Sequence, residues 1–168
     1  MTFISFDNIV KILSKYWDKF LIEGVGYTLL LSAITVFFGA ILATLLAGMK
    51  MSRVAPLRWL SAAYIEIIRG TPMLLQLYFF YFALPKLIPA LNKQKFLCIA
   101  IALVCNSAAY VSEVIRSGIK SVDAGQSEAA RSLGMSKAQC LWHVVMPQAL
   151  KTILPALGNE FIMIIKDT

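Results

Sequence analysis

The sequence predicts an all-α membrane protein, a single domain in which a bundle of transmembrane helices carries one polar helix–turn–helix outside the bilayer. Three observations carry that expectation. The 168-residue chain is 59% apolar and only 15% charged, with a mean hydropathy of +0.74, a balance too apolar for a water-exposed monomer. Residues 25–49 run for 25 positions without a formal charge, about 37 Å of helix against a hydrocarbon core of roughly 30 Å. Residues 123–147, DAGQSEAARSLGMSKAQCLWHVVMP, form a polar, glycine-punctuated insert between strongly apolar flanks.

Taken in order, residues 1–23 lack the basic head and unbroken apolar centre of a cleavable signal peptide. Phe6, Ile9, Val10, Leu13, Trp17, Phe20 and Leu21 recur at helical spacing, with Lys11, Lys15, Asp18 and Lys19 between them. An amphipathic helix in the membrane interface fits this pattern, and so does a helix packed on neighbouring spans. Residues 25–49 are the first span, closed by Lys50, Arg53, Pro56 and Arg58. The apolar run 72–84 covers only about 20 Å as a helix, so the second span extends back to residue 59, through Glu66 and Arg69. Those two charges, three positions apart, can share a helix face and pair, and Gly70-Thr71-Pro72 supplies a kink because Pro72 has no N–H to give.

Residues 85–95 form a short turn carrying Lys86, Lys93 and Lys95, and residues 96–115 a third span. Its second half carries Asn106, Ser107, Ser112 and Glu113. Polar groups at that depth cost up to about 3 kcal/mol each, so they face a partner helix or a wet cavity. Asn106 and Glu113, seven apart, share a face, a candidate part of a translocation path, with inter-helix hydrogen bonding as the alternative. A loop over 116–150 follows, then an apolar run over 153–165 that contains Asn159 and Glu160, before the sequence stops at Thr168. Thirteen residues make about 20 Å of helix, so the last part of the bundle, 153–168, is expected to be a partial span in a truncated bundle.

The insert reads as two short helices and a hinge. Asp123 with Gln126, and Ser136 with Gln139, have capping-box spacing. Gly134 can take the left-handed conformation that ends a helix, and Pro147 is expected to stop the second one. Glu128-Ala129-Ala130, three residues, Gly134, nine residues and Val144-Val145-Met146-Pro147 resemble the EAA signature of ABC importer permeases. Ser121-Val122-Asp123, Gly125-Gln126, Leu154-Pro155, Gly158-Asn159-Glu160-Phe161, Lys166-Asp167-Thr168 and the Glu66, Arg69-Gly70-Thr71-Pro72 run are similar to the polar amino acid uptake branch.

The resemblance implies a membrane-spanning permease subunit of an ATP-driven polar amino acid importer in the bacterial inner membrane, multi-pass in the lipid. It implies a separate ATP-binding cassette ATPase subunit, a second permease chain, identical or different, and an extracytoplasmic amino acid-binding protein. It places Glu128, Ala129, Ala130, Gly134 and Pro147 in a cytoplasmic coupling loop that seats on the ATPase, with Asn106, Glu113, Asn159 and Glu160 as the candidate substrate path. It also implies that such chains continue through the rest of the last span and one more.

The eight Lys and Arg of residues 50–58 and 116–151, if these share one side, against six on the other, favour a cytoplasmic loop and an outside N-terminus. The net charge of +7 comes from basic residues scattered between apolar runs, which suits membrane edges and not nucleic acid. No Gly-rich phosphate loop, catalytic constellation, cofactor motif or metal-ligand spacing is present in the sequence; His143 stands alone, and Cys98, Cys105 and Cys140 read as reduced packing residues. The rival function is a transporter or channel driven by an ion gradient, with Glu113 and Glu160 carrying the ion. A passive membrane scaffold is the third.

Overall fold

The computed structural model describes residues 6–167, apart from the side chains of residues 6–9, 13 and 20. Residues 1–5 and Thr168, parts of the segments expected at 1–23 and 153–168, lie outside the described residues, as do the side chains of Phe6, Ile9, Leu13 and Phe20. The described residues fold as helices joined by short connections, with no strand among them. Helix α1 (Phe6–Asp18) continues through a π-helical stretch (Lys19–Val25) into α2 (Gly26–Met51). Every side chain described on α1 is exposed.

The frame is the pairing of α2 with α6 (Lys95–Lys120). Tyr27 meets Phe96 at one end, with ring centroids 6.2 Å apart, and Lys50 pairs with Glu113 towards the other. The two helices therefore run parallel. Small residues let them approach: a Cβ added at Gly39 would stand 3.0 Å from the Ser107 hydroxyl, and Ser32, Thr35, Ala43, Ala108 and Ala109 are all buried. Leu31 packs with Ala100 and Leu103, and lower down Ala43 and Leu46 pack with Ile65, Ala108 and Val111.

Between the two, the expected kinked span at 59–84 is a broken one. Helix α3 (Ala55–Arg69) and the segment Met73–Leu87 meet at 102°. The latter comprises α4 (Met73–Tyr78), a π-helical stretch (Phe79–Ala83) and α5 (Leu84–Leu87). The break exceeds a proline kink because two restrictions fall together. Thr71, preceding a proline, is pushed out of the helical region, and Pro72 sits in extended conformation (φ −61°, ψ 138°) as the N-cap of α4. Tyr64 donates from its hydroxyl to the Cys105 carbonyl at 2.8 Å, while Arg69 lies over the Tyr110 ring. Helix α4 then runs away from that level, since Lys95 donates to the Tyr81 carbonyl at 3.0 Å.

After α6 come α7 (Ala124–Ser132), α8 (Lys137–Cys140), a π-helical stretch (Leu141–Val145) and α9 (Met146–Asp167). Pro147 does not stop a helix: α8 runs on through the π-helical stretch into α9, with Pro147 in the first turn of α9. A proline in a first turn gives up an N–H that has little use there, and the wider π turn before it leaves room for the ring. The connection at residues 52–54 and the α7–α8 segment project from the same end of the α2–α6 pair, because Lys50 and Arg116 share Glu113.

Candidate functional site

The insert folds as a knuckle built from local signals. Asp123 accepts from the Gly125 N–H at 2.7 Å, capping α7, but Gln126 does not return the bond; its amide oxygen instead accepts from Gln148 at 3.3 Å. Ser136 and Gln139 complete the reciprocal box, at 3.3 and 2.9 Å. Between them Gly134 has φ +87°, and the two bonds Gly134 N–H to Arg131 and Met135 N–H to Ala130 close a Schellman turn. Ala130 is buried against Cys140 and Val145 as the small core of the knuckle. Ala129 and Glu128 are exposed. Leu133, beside the glycine, is 83% exposed, and Trp142 is 65% exposed. Sequence reasoning passed over both; a large apolar residue against the helix-ending glycine of a polar insert was the available signal.

The knuckle is carried by α6 and α9, and these two helices touch where it begins. A Cβ at Gly118 would stand 2.3 Å from Ile153 Cγ1, so only glycine allows this separation.

The same helices wall a cleft of ≈ 430 Å³ at the α3–α4 break. Its lining combines Arg69 to Met73 of the break, Asn106 and Tyr110 of α6, and Glu160, Met163 and Asp167 of α9. Two of the four expected path residues, Asn106 and Glu160, thus meet in one cavity. Asn159 is exposed and does not line it.

Glu113 lines an adjoining cleft with Lys50, Ile65, Glu66, Arg69 and Gly70, and its carboxylate is engaged. One oxygen accepts from Lys50 and the other from Arg116 Nη2 and Nε at 2.6 and 2.9 Å. Glu66 and Arg69 form no ion pair among the described residues; the Arg69 guanidinium is 5.1 Å from the centre of the Tyr110 ring instead. Arg69 lines both clefts. The three cysteines are free thiols, Cys98 and Cys140 buried and Cys105 partly so.

Sequence reasoning also missed Gln76, which sits inside an apolar run yet is 6% exposed and fully engaged. Its amide nitrogen donates to Ile68 O at 2.7 Å, Thr71 O at 3.1 Å and Thr71 Oγ1 at 2.8 Å, and its oxygen accepts from Asn106 Nδ2 at 3.0 Å. A lone amide amid apolar neighbours was the signal.

Residues 20–168 match the family described as binding-protein-dependent transport system inner membrane component. The chain is 39% identical over 165 residues to a probable glutamine ABC transporter permease protein of Bacillus subtilis, spanning 98% of this chain and 71% of that one. It is 43% identical over 163 residues to a putative glutamine transport system permease protein of Rickettsia bellii, covering 97% and 73%. An L-cystine transport system permease protein of Bacillus subtilis is 42% identical over 156 residues, covering 92% and 64%. Among solved structures, the crystal structure of an amino acid ABC transporter with histidines superposes with a TM-score of 0.84 at 45% identity, covering 99% of this chain and 74% of that one.

Proposed function

The chain belongs to the family of binding-protein-dependent transport system inner membrane components, and on that premise we propose that it is the membrane-spanning permease subunit of an ATP-driven importer for polar amino acids. Relatives with 39–43% identity carry glutamine or cystine in their names. The chain is an integral inner membrane protein. The observation that carries the mechanism is that α6 and α9, the two helices from which the knuckle hangs, are also the two that bring Asn106 and Glu160 to the cleft.

A displacement of the knuckle is then a displacement of the cleft's walls. The exposed Glu128, Leu133 and Gly134 face of the knuckle seats on a separate ATPase subunit, with a second permease chain carrying the same element and a binding protein delivering substrate outside. ATP-driven approach of the two ATPases moves both knuckles and switches the bundle between two packed arrangements. Gly118 against Ile153 transmits the push without slack, and the Lys50–Glu113–Arg116 group ties α2 to α6 so that the pair moves as one. The basic connection after α2 emerges on the knuckle side, which supports a cytoplasmic knuckle and an outside N-terminus. In the cleft, Glu160 and Asn106 suit an ammonium group and Arg69 a carboxylate, the two ends of an amino acid.

The test is uptake by proteoliposomes that hold the full permease with its ATPase, supplied with binding protein. Uptake that needs ATP, and that Gly134→Asp abolishes while ATP hydrolysis continues, supports the reading. An aspartate at φ +87° strains the Schellman turn. Uptake that follows an ion gradient without ATP overturns it.

A further inference from the structure

We propose that Gln76 is a positioning residue that fixes the polarity of Asn106, so that the cleft reads the ammonium group of its substrate. The proposal rests on the importer reading above. It begins at the break itself. Ile68 O would accept from residue 72 if the helix continued, but residue 72 is a proline and has no N–H. The shortest bond to Ile68 O comes instead from Gln76 Nε2, at 2.7 Å, and the same nitrogen lies 3.1 Å from Thr71 O.

These two partners are main-chain carbonyls, which only accept, and the third, Thr71 Oγ1 at 2.8 Å, turns its own proton to Ile67 O and Ile68 O at 3.0 and 3.3 Å and so accepts from the amide as well. Turning the Gln76 amide by a half-rotation would set its own oxygen against two others at a residue 6% exposed, acceptor facing acceptor in a buried place, with only the longer Thr71 bonds of 3.5 and 3.3 Å left to Ile68 O. The nitrogen must therefore face the break and Oε1 must face α6. Oε1 also only accepts, so whatever stands across from it must donate, and that group is Asn106 Nδ2 at 3.0 Å. The requirement passes one step further: with its NH2 side turned to Gln76, Asn106 offers its carbonyl oxygen to the cleft it lines.

The proline that breaks the helix thus dictates, through two amides, that an acceptor shares the cavity with Glu160. Asn106 and Glu160 recognise a donor and reject a carboxylate, while Arg69, in the same lining, takes the carboxylate. An amino acid is held in one orientation.

The experiment measures binding to the purified permease–ATPase complex in detergent, using L-glutamine and L-arginine together with the deamino analogue of each. A site built to bond a donor discriminates strongly against the analogue that lacks it. The wild-type complex is expected to prefer at least one amino acid over its deamino analogue by roughly 100-fold. In Gln76→Met the preference is expected to fall roughly tenfold, because amino acid affinity drops and analogue affinity does not, a split that simple loosening of the break would not produce. Equal loss of both ligands, or an unchanged preference, overturns the role of Gln76 and leaves the importer reading standing. If Gln76→Met yields no folded complex, Asn106→Leu keeps the Gln76 bonds to the break and removes the acceptor, and an undiminished preference in that variant overturns the proposal. Absence of saturable amino acid binding to the wild-type complex overturns the importer reading and this one with it.

Discussion

Adding one methyl group at Gly118 tests whether α6 and α9 transmit force as a rigid pair. In Gly118→Ala the new Cβ would start 2.3 Å from Ile153 Cγ1 and 3.0 Å from its Cδ1. Carbon pairs rest at about 3.5–4.0 Å, so roughly 1.2–1.7 Å of separation must be found. Ile153 is buried at 3% exposure, and a β-branched side chain in a helix is held to one χ1 rotamer. The helices must part, or Ile153 must leave its rotamer. Overpacking of this kind costs about 1–3 kcal/mol, or on the order of 2–4 °C of melting temperature per kcal/mol in a chain of this size.

The assay is thermal unfolding of the purified complex in detergent beside uptake per ATP hydrolysed. Gly118→Ala is expected to melt lower and to import less per ATP, since parting α6 from α9 at the knuckle introduces slack before the cleft. Ile153→Ala alone loses stability by leaving a cavity. The double variant is expected to lose about 1–2 kcal/mol less than the sum of the two single effects, because the added methyl occupies the vacated space. A Gly118→Ala protein with wild-type melting and coupling, and no compensation by Ile153→Ala, refutes the argument.

Two further outcomes follow from named contacts. Glu113→Gln leaves Lys50 and Arg116 without their shared carboxylate, whose side chain is 13% exposed, and is expected to cost about 1–3 kcal/mol, between the surface and buried limits for ion pairs. A Lys50–Glu113 double-mutant cycle read by thermal melting checks it, and a coupling energy of zero removes the tie between α2 and α6. Leu133→Ser, at a side chain 83% exposed, should leave stability within about 0.5 kcal/mol yet reduce recovery of the ATPase with the affinity-tagged permease; unchanged recovery removes the knuckle tip from the interface.

The parts of the molecule that a reader of the sequence could locate are those decided within one turn of chain. The knuckle is of this kind: Ser136 with Gln139, and Gly134 at φ +87°, act on backbone groups two to four residues away, so their spacing alone announces the turn. Pro147 shows where the same reasoning fails. The rule that proline ends a helix assumes α-helical spacing before it, and the π-helical Leu141–Val145 relaxes that spacing. Asn106 was visible as a costly polar group at membrane depth, yet its partner was not, because Gln76 lies 30 positions away and meets it only through the 102° break.

Glu113 is the complementary case. Its position on the Asn106 face of α6 was legible, but a separation of seven positions carries it towards the helix end, where it lines the adjoining cleft and its carboxylate is shared by Lys50 and Arg116. The face of a helix follows from periodicity, whereas the level along it at which a polar group meets charge, water or another helix follows from how the neighbours are packed. Asn106 and Glu113 share the first and differ in the second, and the difference separates an amide that meets Gln76 beside the break from a carboxylate shared by Lys50 and Arg116.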